Sequence, residues 1–322
     1  MKKFDVVALG EAMLEFNQTR PGQPDYLQGF GGDTSNAVIA ASRAGARTAY
    51  LSRLGQDTFG QALMALWAEE GVDTAAIEQD PDAPTGIYFV THGAAGHEFS
   101  YRRAGSAASL MTPDWLHHRE AAGATGLTSA ASAITNAAIL HVSGISLAIS
   151  GSACDTVFSA MQLARSAGTL VSFDSNLRLR LWPVARALAC TAHAVSLCDI
   201  FLPSLEDITA LNGLTDPDQV VDWGHALGAR QVVLKLGSEG ALVSDGTRRA
   251  RIAVHRVKLV DATGAGDCFC GNLLARLARG DNIFEAARYA NAAAALTVQG
   301  YGAVAPLPDP EQVRKLLDAI GH

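Results

Sequence analysis

Residues 261–277 read DATGAGDCFCGNLLARL, a turn of small residues that leads into an apolar helical pattern. A Gly264-Ala265-Gly266 turn at a helix start presents backbone N–H groups at the positive end of the helix dipole. Such a turn forms a site for an anion such as a phosphoryl group. Asp267 follows directly, where its carboxylate can take the proton of an attacking hydroxyl. Taken alone, the pattern also fits an aspartate that caps a helix after a glycine turn.

The rest of the chain alternates short apolar runs with helical stretches. The runs lie at 4–9, 48–51, 139–142, 170–173, 200–202 and 232–236. Runs of this length, bounded by Gly, Asp or Ser, indicate strands buried on both faces of a largely parallel sheet. Residues 37–45 and 60–70 repeat Ala, Leu and Met at helical spacing, which predicts helices between the strands. The pattern as a whole predicts an α/β fold.

Two regions depart from this alternation. Residues 12–30 and 85–104 carry alternating apolar and polar side chains, and 91–97 contains two glycines, as a hairpin connection would. We expect a single domain over residues 1–322, in which these regions form a small β lid on the main sheet. Residues 119–136 are rich in Ala, Thr, Ser and Gly and are expected to form a surface helix and loop.

Composition excludes several classes of protein. The chain is 48% hydrophobic with a net charge of −7, which argues against nucleic acid as a partner. Five cysteines without a CxxC spacing predict reduced thiols and a cytoplasmic location. Asp5 and Glu11 interrupt the apolar start, and no uncharged apolar stretch reaches ~18 residues, so neither a signal peptide nor a membrane span is predicted.

A second glycine-rich segment, GFGGDTSNA at 29–37, also leads into a helix. Together with the D-x-x-G-A-G-D-x-F pattern at 261–269 it resembles the paired signatures of the PfkB (ribokinase-like) family of sugar kinases. The resemblance implies a ribokinase-like fold, with a mostly parallel central sheet flanked by helices. It also implies that Asp267 is the catalytic base, that the N–H groups of Gly264, Ala265 and Gly266 stabilise the transferred phosphoryl group, and that Mg-ATP is the donor. A P-loop motif and a dinucleotide-binding turn after the first strand are both missing from the sequence.

The same resemblance assigns a nucleotide site to the last third of the chain. KLGSEG at 235–240 is similar to the family's ATP-contacting K-x-G-x-x-G element, and SLE at 204–206 is similar to its N-x-x-E element, with serine replacing asparagine. The implied nucleotide contacts are Ser204, Glu206, Lys235, Gly237, Ser238, Gly240, Gly264, Gly266 and Asn291. No side chain is assigned as a direct magnesium ligand, although Glu206 is expected to act through water. Whether a monovalent cation is required stays open. Residues 235–240 also fit an ordinary strand-to-strand turn, and this alternative stays open too.

Polar residues follow the apolar run at 170–173, where the sequence continues DSNLRLRLW through 182. Because ligands of open α/β sheets bind beyond the carboxyl ends of the strands, Asp174, Asn176 and Arg178 are candidate contacts for the phosphoryl acceptor. The alternative is an ordinary surface loop. The segment 174–182 lies directly after an apolar strand, and this position favours a binding role over an ordinary loop.

The predicted lid adds further candidates. In an extended strand Tyr101 and Arg103 share one face, and Tyr88 on the opposite arm can join them. Arg103 and Arg178 together suit a carboxylate, because the guanidinium fork matches a planar anion. An amphipathic hairpin with an exposed Arg103 is the alternative.

Several segments together resemble the 2-keto-3-deoxygluconate kinases within this family. They are YRRAGSAA at 101–108, D-x-N-x-R-x-x-L-W at 174–182, GFGGDT at 29–34 and SGISLAI at 143–149. The resemblance implies transfer of the ATP γ-phosphoryl group to the 6-hydroxyl of 2-keto-3-deoxygluconate, ahead of an Entner–Doudoroff-type aldolase. It places Gly32, Asp33 and Asn36 on the sugar hydroxyls or keto end, and Tyr88, Tyr101, Arg103 and Arg178 on the acid end.

Two other functions stay open at this point. One is a kinase of a neutral sugar such as fructose or ribose, and the other is a nucleotide- or sugar-binding protein without catalysis. The lid strands offer an unpaired edge that a second copy can meet, so a homodimer is expected.

Overall fold

The computed structural model describes residues 2–93, 96–118 and 129–320. Within these ranges the strands are β1 Phe4–Leu9, β2 Met13–Gln18, β3 Tyr26–Gly31, β4 Thr48–Leu51, β5 Arg53–Gly55, β6 Val72–Asp73, β7 Glu78–Asp80, β8 Ile87–Gly93, β9 Gly96–Arg102, β10 Ala137–Ser143, β11 Leu170–Asp174, β12 Ile200–Leu202, β13 Gln231–Lys235, β14 Ala241–Ser244 and β15 Arg249–Ile252. The α-helices are α1 Asp33–Arg43, α2 Thr58–Glu69, α3 Ala130–Thr135, α4 Gly144–Ala148, α5 Gly151–Ser166, α6 Val184–Leu197, α7 Leu205–Asn212, α8 Pro217–Leu227, α9 Ala265–Ala278, α10 Ile283–Thr297 and α11 Pro310–Ile320.

Nine strands form the main sheet, in the order β15-β14-β13-β12-β11-β10-β1-β4-β6. The pairs from β13 to β6 are parallel, and β14 and β15 add antiparallel strands at one edge. This arrangement confirms the predicted α/β fold with a mostly parallel central sheet.

The alternation of side chains along each buried strand builds two apolar layers. Val6 of β1 packs in a core with α1, α9 and α10. Val7, the next residue, packs on the opposite face with α5, α6 and α8. The helices therefore cover both faces of the sheet, as the continuous apolar runs predicted.

A second sheet contains four strands in the order β3-β2-β8-β9. The β2–β3 and β8–β9 pairs are antiparallel, whereas β2 and β8 run parallel, so the sheet is mixed. Its strands fall in the two regions where the sequence predicted a lid. That the sheet closes over a substrate, and that residues 1–322 form one domain, stay predictions. Residues 94 and 95 of the predicted hairpin connection, and 119–128 of the predicted surface segment, lie outside the described residues.

The carboxyl ends of the central strands converge on one edge of the main sheet. Ser143 at the end of β10 is in register with Asp174 at the end of β11, and β13 ends at Lys235 nearby. In the part of the chain that the structure describes, no helix has the length and apolar character needed to cross a bilayer.

Candidate active site

The amino end of α9 is a turn with backbone donors. Gly264 has a left-handed φ of 73°, and a Cβ at this position would lie 2.9 Å from the Cα of Ala303. The Ala265 N–H donates to Ala262 O at 3.2 Å, so it already takes part in a turn. The N–H groups of Gly264 and Gly266 make no hydrogen bond to another described residue. Two of the three predicted donors are thus available to an anion.

Asp261 holds this turn in place. Its Oδ1 accepts from the Thr263 N–H at 2.9 Å, and its Oδ2 accepts from the Gly302 N–H at 2.9 Å. The carboxylate thereby ties the turn before α9 to the segment after α10. In the sequence Asp261 was recognised only as part of the motif, whereas the structure shows that its carboxylate anchors the turn.

Asp267, the predicted base, lies in the first turn of α9. Its Oδ2 accepts a hydrogen bond of 2.8 Å from Asn36 Nδ2. Burial and the nearby charge of Asp33 raise the pKa of Asp267 to about 7, and the Asn36 bond opposes this rise. A carboxylate that titrates near neutral pH is suited to act as a general base.

Asp33 lies at the amino end of α1, close to Asp267. Gly32 precedes it with a φ of 119°, and a Cβ at Gly32 would lie 2.6 Å from the Glu11 carbonyl oxygen. Asp33 Oδ1 accepts from the Thr34 N–H, and Oδ2 accepts from Asn176 Nδ2, both at 2.8 Å. Burial, together with the Asp174 charge, raises the pKa of Asp33. The side chain therefore contacts both its own helix and the predicted acceptor loop.

Lys235 and Asp174 form a buried ion pair at the edge of the main sheet. Lys235 Nζ donates to both carboxylate oxygens at 2.8 Å, and the two side chains are 15% and 5% exposed. Burial alone would lower the pKa of Lys235, but Asp174 raises it above its usual value. A Cβ built on Gly266 would lie 3.7 Å from Nζ, which places the ammonium beside the amino end of α9. Cys270 Sγ lies 3.2 Å from Asp174 Oδ2.

The segment after β11 is the predicted acceptor loop. Asn176 has a φ of 24° and is the one non-glycine residue with a positive φ in the described ranges. Arg178 is exposed, and its Nη1 donates to the Leu177 carbonyl at 2.8 Å. The Arg178 charge acts to lower the pKa of Asp33. The loop therefore carries an accessible cation within electrostatic reach of Asp33.

The four-stranded sheet brings the predicted lid residues together. Tyr88 is in register with Tyr101 across β8 and β9, and their rings stack with centroids 5.5 Å apart. The Tyr88 hydroxyl donates to Glu15 Oε2 at 2.5 Å, and burial and the Glu15 charge raise its pKa. Arg103 Cζ lies 6.0 Å from the centre of the Tyr101 ring. Tyr88, Tyr101 and Arg103 thus form one continuous group, as the strand alternation predicted.

Arg103, one of the two arginines predicted to bind a carboxylate of the acceptor, already has a carboxylate partner in the protein. Its Nη2 pairs with Glu11 Oε2, and the side chains are 11% and 1% exposed. The sequence reasoning missed Glu11 and treated it only as an interruption of the apolar start. The available signal was its position just after β1, the same criterion that selected Asp174. Arg178 is the cation of the predicted acceptor site that has no carboxylate partner among the described residues.

The predicted N-x-x-E element needs a correction. Ser204 caps α7, because its Oγ accepts from the Asp207 N–H at 3.1 Å. Glu206 is exposed on the first turn of the helix. The spacing counted from Ser204 falls on Asp207, whose Oδ2 accepts from the Ser175 hydroxyl at 2.7 Å. Asp207 was missed and is the carboxylate of this element that contacts the site.

The remaining nucleotide candidates lie on the same side of the sheet. Gly237 and Ser238 are exposed in the turn between β13 and β14, which Leu236 closes by donating its N–H to Gly240 O at 2.8 Å. Asn291 is buried in α10, and its Nδ2 donates to the Ala253 carbonyl at 2.7 Å. Its amide therefore holds the segment after β15. Across the described ranges, no group of three or more His, Cys, Asp or Glu is arranged to hold a metal ion.

The fold and the anion-binding turn beside an aspartate define a ribokinase-like kinase. Residues 3–310 match the pfkB family carbohydrate kinase profile, and the chain belongs to that family. The predicted family and the predicted ribokinase-like fold are both confirmed. The chain is 30% identical to the PfkB protein from Polaromonas sp. JS666, with a TM-score of 0.84 over 97% of this chain and 99% of that one. It is 25% identical to a fructokinase with bound ATP from Xylella fastidiosa, with a TM-score of 0.87 over 99% of each chain.

Curated relatives include two kinds of sugar kinase. The chain is 34% identical to a 2-dehydro-3-deoxygluconokinase of Thermoproteus tenax, over 98% of this chain and 94% of the relative. It is 32% identical to fructokinase-1 of Zea mays, over 97% of each chain. The comparisons therefore support a carbohydrate kinase. The relatives that act on the two kinds of acceptor are almost equally similar to this chain, at 34% and 32% identity.

Proposed function

We propose that this carbohydrate kinase transfers the γ-phosphoryl group of Mg-ATP to the 6-hydroxyl of 2-keto-3-deoxygluconate. The observation that carries the transfer step is Asp267 in the first turn of α9, where free N–H groups and a base come together. The relative with ATP bound supports the choice of donor. The acceptor is supported by Arg178 and Arg103 and by the 2-dehydro-3-deoxygluconokinase relative.

Asp267 accepts the proton of the attacking hydroxyl. Asn36 orients the carboxylate by donating to Oδ2, which leaves Oδ1 for the substrate. Gly32, Asp33 and Asn176 lie on the acceptor side, where Asp33 can bind a sugar hydroxyl. The N–H groups of Gly264 and Gly266 stabilise charge on the phosphoryl group during transfer.

The residues present fit a triphosphate with bound magnesium. Gly264 and Gly266 keep free backbone N–H donors for phosphate oxygens, and the Lys235 ammonium, which Asp174 pairs, lies beside Gly266. Ser204, Gly237, Ser238 and Gly240 are the proposed contacts to the remaining nucleotide. Magnesium, when bound with the nucleotide, would neutralise charge on the phosphate oxygens, and Asp207, in place of Glu206, is the carboxylate proposed to reach it through water.

A kinase of a neutral sugar is the second candidate, and one observation favours it. Because Glu11 pairs with Arg103, one arginine of the two predicted ones keeps an uncompensated charge. A single exposed arginine is compatible with fructose as well as with a sugar acid. A binding protein without catalysis is disfavoured, since the predicted base and the donor turn are both assembled.

Release of ADP against an acceptor panel tests this proposal. The panel contains 2-keto-3-deoxygluconate, its galactonate epimer, gluconate, fructose and ribose. We expect the highest kcat/KM with 2-keto-3-deoxygluconate or its epimer, and Asp267→Asn should lower kcat by ~10²-fold or more while ATP still binds. A higher kcat/KM with fructose overturns the acceptor assignment, and near-normal turnover of the variant overturns the base.

We also propose a homodimer formed through the four-stranded sheet. Its outer strands β3 and β9 have an open edge, and Leu27 and Phe99 are exposed there. Light scattering of the purified chain should give twice the mass of 33.6 kDa. A mass of one chain at micromolar concentration contradicts this.

A further inference from the structure

Glu11 is a buried carboxylate that the phosphoryl-transfer step does not use. It follows β1 of the main sheet, and its side chain is 1% exposed. Both of its oxygens contact the segment after β9, since Oε1 accepts from the Ser106 hydroxyl at 2.5 Å and Oε2 pairs with Arg103. Glu11 therefore connects the main sheet to the sheet that carries the predicted acceptor residues.

The backbone of residues 103–106 is shaped for this contact. The Ser106 N–H donates to the Arg103 carbonyl at 3.1 Å, and Gly105 has a left-handed φ of 75° within the turn. The turn places the Arg103 and Ser106 side chains against the same carboxylate. Arg103 Nε and Nη2 are buried and have no hydrogen bond of regular geometry to a described residue, so the close contact with Glu11 leaves N–H groups of the guanidinium unused.

The charge of Arg103 is therefore balanced before any acceptor arrives. A buried ion pair presents little net field to a ligand, although the guanidinium still offers directional N–H donors. Arg178, in contrast, is exposed and bonded to a neutral carbonyl, so its charge is not balanced in this way. The two arginines differ in what they can recognise.

We propose that Glu11 is a specificity-determining positioning residue, which fixes the Arg103 guanidinium in the acceptor site and balances its charge. Arg103 then serves as a hydrogen-bond donor for acidic and neutral acceptors alike. Arg178 supplies the charge that selects an acid. This inference rests on the proposed function, because it takes the acceptor to lie against Arg103.

The test compares kcat/KM for 2-keto-3-deoxygluconate with kcat/KM for fructose, expressed as one ratio. If one acceptor is not turned over, the ratio is instead formed for both acceptors from the reciprocals of their dissociation constants. Glu11→Gln keeps the side-chain length and removes the charge, so the ratio should rise about tenfold, which corresponds to about 1.4 kcal/mol. Glu11→Asp keeps the charge and shortens the reach, so KM should rise for both acceptors with an unchanged ratio. The KM for ATP should stay within about twofold in both variants, which a general loss of structure would not produce.

A paired variant covers the case in which Glu11→Gln does not fold. Glu11→Gln combined with Arg103→Gln leaves no buried charge unpaired, and we expect its ratio to stay within about threefold of the wild-type value. If Arg103 instead selects the acid by its own charge, the ratio of the double variant falls by about tenfold or more. An unchanged ratio in a folded Glu11→Gln variant also overturns the proposal. Failure of the proposed function appears separately, as a wild-type enzyme that turns over neither acceptor.

Discussion

The protonation of Asp267 should set the acidic limb of the pH profile. Its pKa is raised to about 7 by burial and by the Asp33 charge. The base must be ionised to accept a proton, so kcat/KM should be maximal above pH 7 and fall about tenfold per pH unit below it. An unperturbed aspartate would place this limb near pH 4.

Two neighbours of Asp267 should move the limb in opposite directions. Asn36→Ala removes the 2.8 Å hydrogen bond that stabilises the ionised form, so the limb should move to higher pH. A hydrogen bond to a charged group contributes about 1.5 kcal/mol, which corresponds to about one pH unit. Asp33→Asn removes the negative charge that raises the Asp267 pKa, so the limb should move to lower pH by a similar amount.

The assay is ADP release between pH 5 and 9 at constant ionic strength, with kcat/KM for the acceptor fitted at each pH. Both variants alter proposed acceptor contacts, so their absolute rates should drop, and the position of the limb is the informative quantity. The residual rate of Asp267→Asn serves as the control and should show no limb near pH 7. A shift of both variants in the same direction, or of neither, refutes Asp267 as the titrating base.

Two further substitutions test the buried ion pair and the glycine turn of the site. Lys235→Met leaves the buried Asp174 charge unpaired and should lower the free energy of unfolding by about 3–5 kcal/mol, measured by urea denaturation. The matched Lys3→Met removes an exposed ion pair and should change it by less than about 1 kcal/mol. Gly264→Ala strains a left-handed φ of 73° and crowds the facing backbone, so kcat should fall at least about tenfold. Gly280→Ala has a similar φ in open space and should leave kcat unchanged, so equal losses in the two glycine variants would contradict the reasoning.

The main sheet was predictable because its strands are buried on both faces. The runs at 4–9, 48–51 and 200–202 coincide with β1, β4 and β12 residue for residue. Such strands need apolar side chains at most positions, and the sequence shows these runs directly. The run at 232–236 is displaced by one residue from β13, because Lys235 ends the strand and Leu236 begins the turn.

The pairing of strands in the four-stranded sheet was harder to predict from the sequence. Alternation of apolar and polar residues indicates a strand that is half buried, but it carries no information on the partner or the direction. The parallel pairing of β2 with β8 joins segments distant in the chain. A hairpin turn can be recognised locally, whereas this pairing depends on where the main sheet places the two segments.

Charge partners were the part of the site that the sequence could not supply. The sequence placed Asp174, Asn176 and Arg178 after an apolar strand, at the edge of the sheet where ligands of α/β folds bind. The choice of partner depends on side-chain geometry across separate strands. Lys235 was predicted to contact the nucleotide and Arg103 to contact the acid end of the acceptor. Their carboxylate partners, Asp174 and Glu11, were not predicted.

The three aspartates of the site are distinguished by their partners. Asp174 binds the Lys235 ammonium through both oxygens. Asp33 and Asp267 each accept from a neutral amide, and the pKa of each is raised by burial. Of these two, Asp267 alone lies in the first turn of α9, beside the free N–H groups. On the proposed function, the same backbone turn therefore determines both where the phosphoryl group binds and which carboxylate takes the proton.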